Sequence, residues 1–221
     1  MLTAESDKKQ YRRLTTPRAA AIAGVLFGLL FTASLALLRS AIPPTLSGDI
    51  AWVAQGGQRI KVALALMPFA GIAFLWFIGV VRDLLGDFED RFFSTVFLGS
   101  GLLFLGMIFV AMAIGGGILA VAQVEGADFQ RDEIIYFARA LMFQVSNVYA
   151  LRMAGVFMIS LGTIWLRTGL LPRWLALVTY LLALVLLVVI NLSLWIALVF
   201  PIWVLAISVF KLISDAKVKG R

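Results

Sequence analysis

The segment from Gln144 to Arg152 is the most polar stretch inside any long apolar block of this chain. Amide, hydroxyl and guanidinium groups donate hydrogen bonds, and a guanidinium also neutralises an anion. A charge at the bilayer centre costs at least ~2.5 kcal/mol, and less toward the edge, so a charged residue within a span suggests a site. We therefore expect Arg152, Asn147, Gln144 and Tyr149 to line a polar pocket for a lipid headgroup or a small polar or anionic ligand.

A simpler interpretation of Arg152 needs no ligand. Long basic side chains can extend along an apolar surface until the charge reaches water. Alternatively, Arg152 forms a structural ion pair with Asp49, Asp128, Asp132 or Glu133.

A second polar cluster contains Asp83, Asp87 and Asp90 at helical spacing. Carboxylates are the ligands that divalent cations prefer, and intramembrane prenyl- and phosphatidyltransferases use aspartate-rich cytoplasmic motifs. Those motifs are longer, and prenyltransferases need a second acidic motif that this sequence lacks. Because Arg82 and Arg91 flank the cluster, local ion pairs in a solvated loop explain it without a metal. We expect no metal site.

Missing residue types narrow the chemistry further. The chain has no Cys and no His. Disulfides, thiolate or histidine metal sites, histidine-ligated haem and serine–histidine catalysis are therefore excluded. Neither GxxxxGK nor GxGxxG after a strand occurs, so no nucleotide motif is present. We expect no cofactor and no enzymatic activity.

The amino-acid composition is that of a membrane protein. Apolar residues form 62% of the chain and charged residues 14%, against roughly 45–50% and ~25% in soluble domains. The net charge is +7, but the basic residues lie at chain ends and loop edges, which favours a membrane surface over nucleic acid. We predict one polytopic membrane domain, residues 1–221.

Six apolar blocks approach the ~20 residues that a transmembrane helix needs. They predict an all-α bundle of six transmembrane helices. The predicted spans are 19–38, 62–81, 93–122, 150–166, 174–190 and 194–210.

Loop charge predicts the orientation, because Lys and Arg are retained on the cytoplasmic side. With both termini cytoplasmic, the outer side holds only a minority of the basic residues, namely Arg39, Arg59, Lys61, Arg131 and Arg139. The inner side holds Lys8, Lys9, Arg12, Arg13, Arg18, Arg82, Arg91, Arg167, Arg173, Lys211, Lys217, Lys219 and Arg221.

Two further patterns concern packing. Residues 128–143 place Ile134, Ile135 and Leu141 opposite charged side chains, which predicts a short outer amphipathic helix before the fourth span. Gly24 and Gly28 have the spacing that allows helices to approach closely, either inside the protein or across a homodimer.

The stretches Phe74–Gly101 and Tyr149–Leu175, with the turn RTGLLPRW, resemble a bacterial family of six-helix membrane proteins of unknown function. The resemblance implies a six-helix bundle in the bacterial inner membrane and brings no catalytic residues.

Together these patterns predict a non-enzymatic membrane protein that binds a lipid or a small anionic ligand near Arg152 and contacts membrane lipid. Three alternatives stay open. They are a small transporter, a structural subunit of a larger membrane complex, and a metal-assisted lipid enzyme that uses Asp83, Asp87 and Asp90.

Overall fold

The computed structural model describes residues 17–43, 51–85, 91–123, 128–169, 172–188 and 194–219, and it is all-helical within these ranges. A seven-residue π-helical segment, Gln144–Ala150, joins α4 to α5, and a short 3₁₀ segment, Leu194–Leu198, leads into α7. The α-helices are α1 (Pro17–Ala41), α2 (Ala51–Leu85), α3 (Arg91–Ala122), α4 (Asp128–Phe143), α5 (Leu151–Thr168), α6 (Arg173–Val188) and α7 (Val199–Lys219).

The helices are those of a membrane protein. Among the described residues, five helical stretches are long and apolar enough to cross a bilayer. The fifth predicted span, 174–190, corresponds to α6, whose 16 described residues extend about 24 Å. Large apolar side chains such as Phe69, Trp76 and Leu177 are exposed on the outside of the bundle, as a hydrocarbon solvent requires. The five stretches are Ala19–Ala41, Gln55–Asp83, Phe92–Ala122, Asp132–Thr168 and Trp195–Ser214.

Successive long helices run antiparallel. The end of α1 lies against the start of α2, where Gly56 meets Ala41, and the start of α1 lies against the end of α7, where Gly24 meets Ser208. We call the end of the bundle where α1 begins the terminus end, and the end where α1 finishes the far end. Accordingly, α2, α5 and α7 finish at the terminus end.

The predicted amphipathic helix has the expected residues but a different arrangement. It is not a separate short helix, because α4 packs along α3, with Met142 beside Gly115, and continues into the π-helical segment. The backbone stays helical through Phe143 (φ −64°, ψ −46°) and Leu151 (φ −63°, ψ −35°). Helix α4, the π-helical segment and α5 therefore form one rod of about 60 Å, and the predicted span 150–166 is only its terminus-end part.

Aromatic rings fill the centre of the bundle. The ring of Phe74 packs against Phe27, Phe104, Phe157 and Phe200, with centroids between 4.6 and 5.7 Å apart. Such pairs contribute about 0.5–1.5 kcal/mol each beyond burial. They come from five different helices, so they fix the relative positions of α1, α2, α3, α5 and α7.

Hydrogen bonds between helices supplement this packing, because lipid removes most of the hydrophobic force between spans. Ser34 Oγ donates to the carbonyl of Ala63 at 2.7 Å and joins α1 to α2. Trp203 Nε1 donates to Thr179 Oγ1 at 2.9 Å and joins α7 to α6.

Gly24 and Gly28 allow α1 to approach α7 closely within the same chain. A Cβ on Gly28 would lie 2.7 Å from Leu205 Cβ and 3.0 Å from the carbonyl oxygen of Pro201. Because α7 covers this face of α1, a homodimer through Gly24 and Gly28 would have to displace α7.

We expect Gly28→Ala to destabilise the protein by about 1–3 kcal/mol, because the added methyl overlaps α7. Gly106→Ala is the matched control, since a Cβ there would meet nothing within 4 Å. Thermal unfolding in detergent measures both variants. Equal melting temperatures for the two would contradict the α1–α7 packing.

Candidate functional site

The structure does not bring the four predicted pocket residues onto one surface. Asn147 is 5% exposed and faces the bundle interior, whereas Tyr149 is 56% exposed and Gln144 is also exposed. Arg152 is half-buried, and its Nη1 donates to the carbonyl of Val148 at 3.1 Å, one turn earlier on the same helix. Asn147 is therefore the one member of the predicted set that reaches the interior.

The π-helical segment determines how Asn147 is presented. A π-helix inserts an extra residue into a helical turn, and such segments often occur at functional sites. Asn147 Nδ2 donates to the carbonyl of Phe143 at 3.2 Å and to Ser146 Oγ at 3.1 Å. Ser146 Oγ in turn donates to the carbonyl of Met142 at 2.8 Å. These bonds leave Asn147 Oδ1 pointing away from its own helix.

The partner of that oxygen is Arg39, on the last turn of α1. Arg39 Nη2 donates to Asn147 Oδ1 at 2.6 Å. The Arg39 guanidinium also lies 5.8 Å from the centroid of the Phe143 ring, a weak cation–π contact. Arg39 Nε is buried and has no hydrogen-bond partner within the described structure. Arg39 Nε is therefore a buried donor that the described residues leave unused.

Arg39 lines a small cavity. About 20 Å³ of it is open to the centre of a water-sized sphere. Its polar wall consists of Arg39 and Ser146, and Phe31 and Phe104 are among its apolar walls. The other lining residues are Leu35, Leu38, Ile42, Ile108, Met112, Met142, Leu151 and Ala197.

The charge of Arg39 has no internal counter-ion in the part of the chain that the structure describes. Its described polar partner is the neutral amide of Asn147. Asp132 and Glu133 lie on the early turns of α4, roughly 15 Å along the helix from Phe143. A partly buried arginine whose described partners are an amide and a ring can attract an anion, because no carboxylate of the described residues pairs with it.

Two more arginines converge on the end of α1. Arg59 Nη1 donates to the carbonyl of Ser40 at 3.0 Å. Arg139 Nη2 donates to the carbonyl of Pro43, and its guanidinium lies 5.4 Å from the Trp52 ring. These contacts fix the chain beyond Arg39.

In the sequence, Arg39 looks like a basic residue at the edge of the first span, and its contact with Asn147 is not predicted. The helical spacing does indicate that Arg39 faces inward. It lies four residues after Leu35 and eight after Phe31, and both of these side chains are buried. The pairing with Asn147 spans 108 residues, and no local pattern indicates it.

The acidic cluster is described only in part. Asp83 lies on the last turn of α2, and Asp87 and Asp90 lie outside the described residues. Within the described ranges, no three His, Cys, Asp or Glu side chains come together as a metal site. The metal-assisted enzyme that uses Asp83, Asp87 and Asp90 therefore stays a prediction.

No family model matches the chain, and neither a curated protein nor a solved structure matches it. The resemblance of Phe74–Gly101 and Tyr149–Leu175 to a six-helix bacterial family stays a prediction. The contacts around Arg39 and Asn147 are therefore the basis for the candidate site.

We expect Asn147→Ala to lower the free energy of unfolding by about 1–3 kcal/mol, because the Arg39 donor loses its buried acceptor. Gln144→Ala is the control from the same π-helical segment. Its side chain is exposed, so its change should stay within about 0.5 kcal/mol. Chemical denaturation in detergent measures both. A larger loss for Gln144→Ala would contradict the assigned orientation of the segment.

Proposed function

We propose that this membrane protein binds an anionic ligand at a pocket formed by Arg39, Asn147 and Ser146. The observation that carries the proposal is the partly buried Arg39, which lines a cavity and lacks a carboxylate partner among the described residues. Hydrogen bonds to a charged partner are roughly twice as strong as neutral ones. A carboxylate, a phosphate or a simple inorganic anion would each supply that partner.

The proposed ligand site is centred on Arg39, whereas the sequence predicted a site centred on Arg152. Asn147 belongs to both versions, whereas Gln144 and Tyr149 are exposed on other faces of the helix. Arg152 lies one turn beyond Val148, where it can contact lipid headgroups. Its role in the proposal is limited to that surface contact.

The position of Arg39 along α1 supports a site near one membrane surface. Arg39 lies about 30 Å along α1 from Ala19, the start of the first span. This distance equals the usual hydrocarbon thickness of ~30 Å, so the guanidinium is at the boundary with the headgroups. With both termini cytoplasmic, as loop charge predicts, the pocket belongs to the outer leaflet of a cell membrane.

The aromatic core favours binding over transport. Phe31 and Phe104, on the cavity wall, contact each other at 5.7 Å between centroids. Toward the terminus end, the rings of Phe27, Phe74 and Phe200 continue the packing. A ligand beside Arg39 has no polar route through these rings. We therefore propose a binding protein without catalytic or transport activity.

Native mass spectrometry after purification in mild detergent tests the binding proposal. The wild-type protein should carry an anionic adduct that Arg39→Gln loses, because the amide side chain removes the positive charge. Arg152→Gln is the matched control and should keep the adduct. An adduct retained equally by Arg39→Gln would overturn the proposal, and the same spectra report any protein partner.

The absence of Cys allows a direct test of orientation. Gln58→Cys places an exposed thiol near the far end, and Ser214→Cys places one on α7 at the terminus end. A membrane-impermeant maleimide on intact cells should label Gln58→Cys and should reach Ser214→Cys only after permeabilisation. The reverse labelling pattern would contradict the proposed topology.

A further inference from the structure

The π-helical segment Gln144–Ala150 contains one residue more than a regular α-helix needs to join α4 to α5. In a regular helix, side chains seven residues apart share a face, and Ala150 and Phe157, seven apart, are both buried. Across the segment, the buried residues Met142 and Ala150 are eight apart. The backbone is α-helical on both sides. The extra residue is therefore accommodated within this segment.

Side chains of the same rod compensate for the altered backbone bonding. In a π-helix a carbonyl accepts from the amide five residues later, so the amide four residues later is not its partner. The carbonyl of Phe143 accepts a hydrogen bond from Asn147 Nδ2 at 3.2 Å, and the carbonyl of Val148 accepts one from Arg152 Nη1 at 3.1 Å. Both side chains come from the residue four positions later. These bonds give Asn147 and Arg152 a role in the backbone of the rod.

The hydrogen bond from Arg39 favours this arrangement over a regular helix. π-Helical residues are rare, at well under 1% of residues in globular proteins. Among the described residues, the bond from Arg39 Nη2 to Asn147 Oδ1 at 2.6 Å is the one hydrogen bond that joins the segment to another helix. A hydrogen bond from a charged donor is roughly twice as strong as a neutral one. The bond depends on where the extra residue lies, because that position determines the direction of the Asn147 side chain.

The direction of Gln144 depends on the same extra residue. Gln144 and Leu151 are seven residues apart, which places both on one face of a regular α-helix. Leu151 is buried, whereas Gln144 is exposed, because the π-helical turn lies between them. If the extra residue moved into the last turn of α4, Gln144 would turn inward. Since Gln144 is less than one helical turn from Asn147, its amide would then come within reach of Arg39.

The neighbouring surface of α3 leaves room for such a shift. Gly115 faces Met142 in the last turn of α4, and a Cβ on Gly115 would lie 3.4 Å from Met142 Sδ. At Gly116 a Cβ would approach only Leu64, at 3.8 Å, and at Gly117 it would meet nothing within 4 Å. This part of α3 therefore presents few side chains that hold α4 in one position, and the methionine side chain is itself flexible.

We infer that the segment Gln144–Ala150 is a conformational switch with two states, which differ in the residue that accepts the Arg39 hydrogen bond. In the π-helical state the acceptor is Asn147. In the second state the extra residue has moved into α4, the segment continues α5 as a regular helix, and Gln144 is the acceptor. The switch changes the cavity, because Ser146 in the segment is part of its wall. This inference does not depend on anion binding.

Thermal unfolding of single and double variants in detergent tests the switch. Gln144→Ala alone should change the Tm by no more than about 2 °C, because the side chain is exposed in the π-helical state. In the Asn147→Ala background, the same substitution should lower the Tm by roughly 3–6 °C, because Arg39 then depends on Gln144. Tyr149→Ala is the matched control from the same segment and should have equal effects in both backgrounds. Equal effects of Gln144→Ala in the two backgrounds would overturn the inference.

Thiol labelling reports the direction of residue 144 directly, because the chain has no native Cys. Gln144→Cys should react rapidly with a maleimide in the wild-type background and slowly in the Asn147→Ala background, where residue 144 faces inward. Tyr149→Cys should react rapidly in both. Rapid labelling of Gln144→Cys in both backgrounds would contradict the second state.

Gln144→Glu keeps the test decisive if Asn147→Ala does not fold. Its carboxylate pairs with Arg39 in the second state, so the Tm should rise above that of the wild type. The rise should disappear when Arg39→Gln is combined with Gln144→Glu. An unchanged or lower Tm for Gln144→Glu alone would overturn the inference, and it would leave the proposed anion binding untouched.

Discussion

The hydrogen bond from Arg39 to Asn147 is the interaction on which this account of the molecule depends. It joins the far end of α1 to the π-helical segment between α4 and α5 at 2.6 Å. It also holds a cation in an apolar surrounding without a carboxylate from the described residues. Buried charges are normally neutralised. Asn147 gives Arg39 a hydrogen bond but no negative charge, and a bound anion can supply that charge.

The aromatic core provides the second constraint. Phe74 contacts rings from α1, α3, α5 and α7, and the same cluster forms one wall of the cavity through Phe31 and Phe104. Close-packed interiors resist gradual deformation. The rings of Phe31 and Phe104 therefore give the cavity one rigid wall.

Much of the fold could be predicted from hydrophobic run lengths, because the bilayer imposes helices of about 20 residues. The four spans 19–38, 62–81, 93–122 and 194–210 correspond to long apolar helices. Run length could not show that α4 continues into α5, since the polar residues Gln144, Ser146 and Asn147 interrupt the apolar pattern without interrupting the helix. Tertiary packing against α3 determined that outcome.

The candidate site was predictable only in part. The polarity of residues 144–152 pointed to Asn147, but the same argument also chose Gln144, Tyr149 and Arg152, which face other directions. A single sequence contains no information on which side of a π-helical segment faces inward. Arg39 resembled an ordinary basic residue at the end of a span, and only the distance to Asn147 gives it a role.

Anomalous diffraction from crystals grown in bromide tests the central claim most directly. One bromide peak is expected in the cavity that Arg39 and Ser146 line. A cavity without a peak, or an Arg39 guanidinium paired with a carboxylate of the chain itself, would contradict the account.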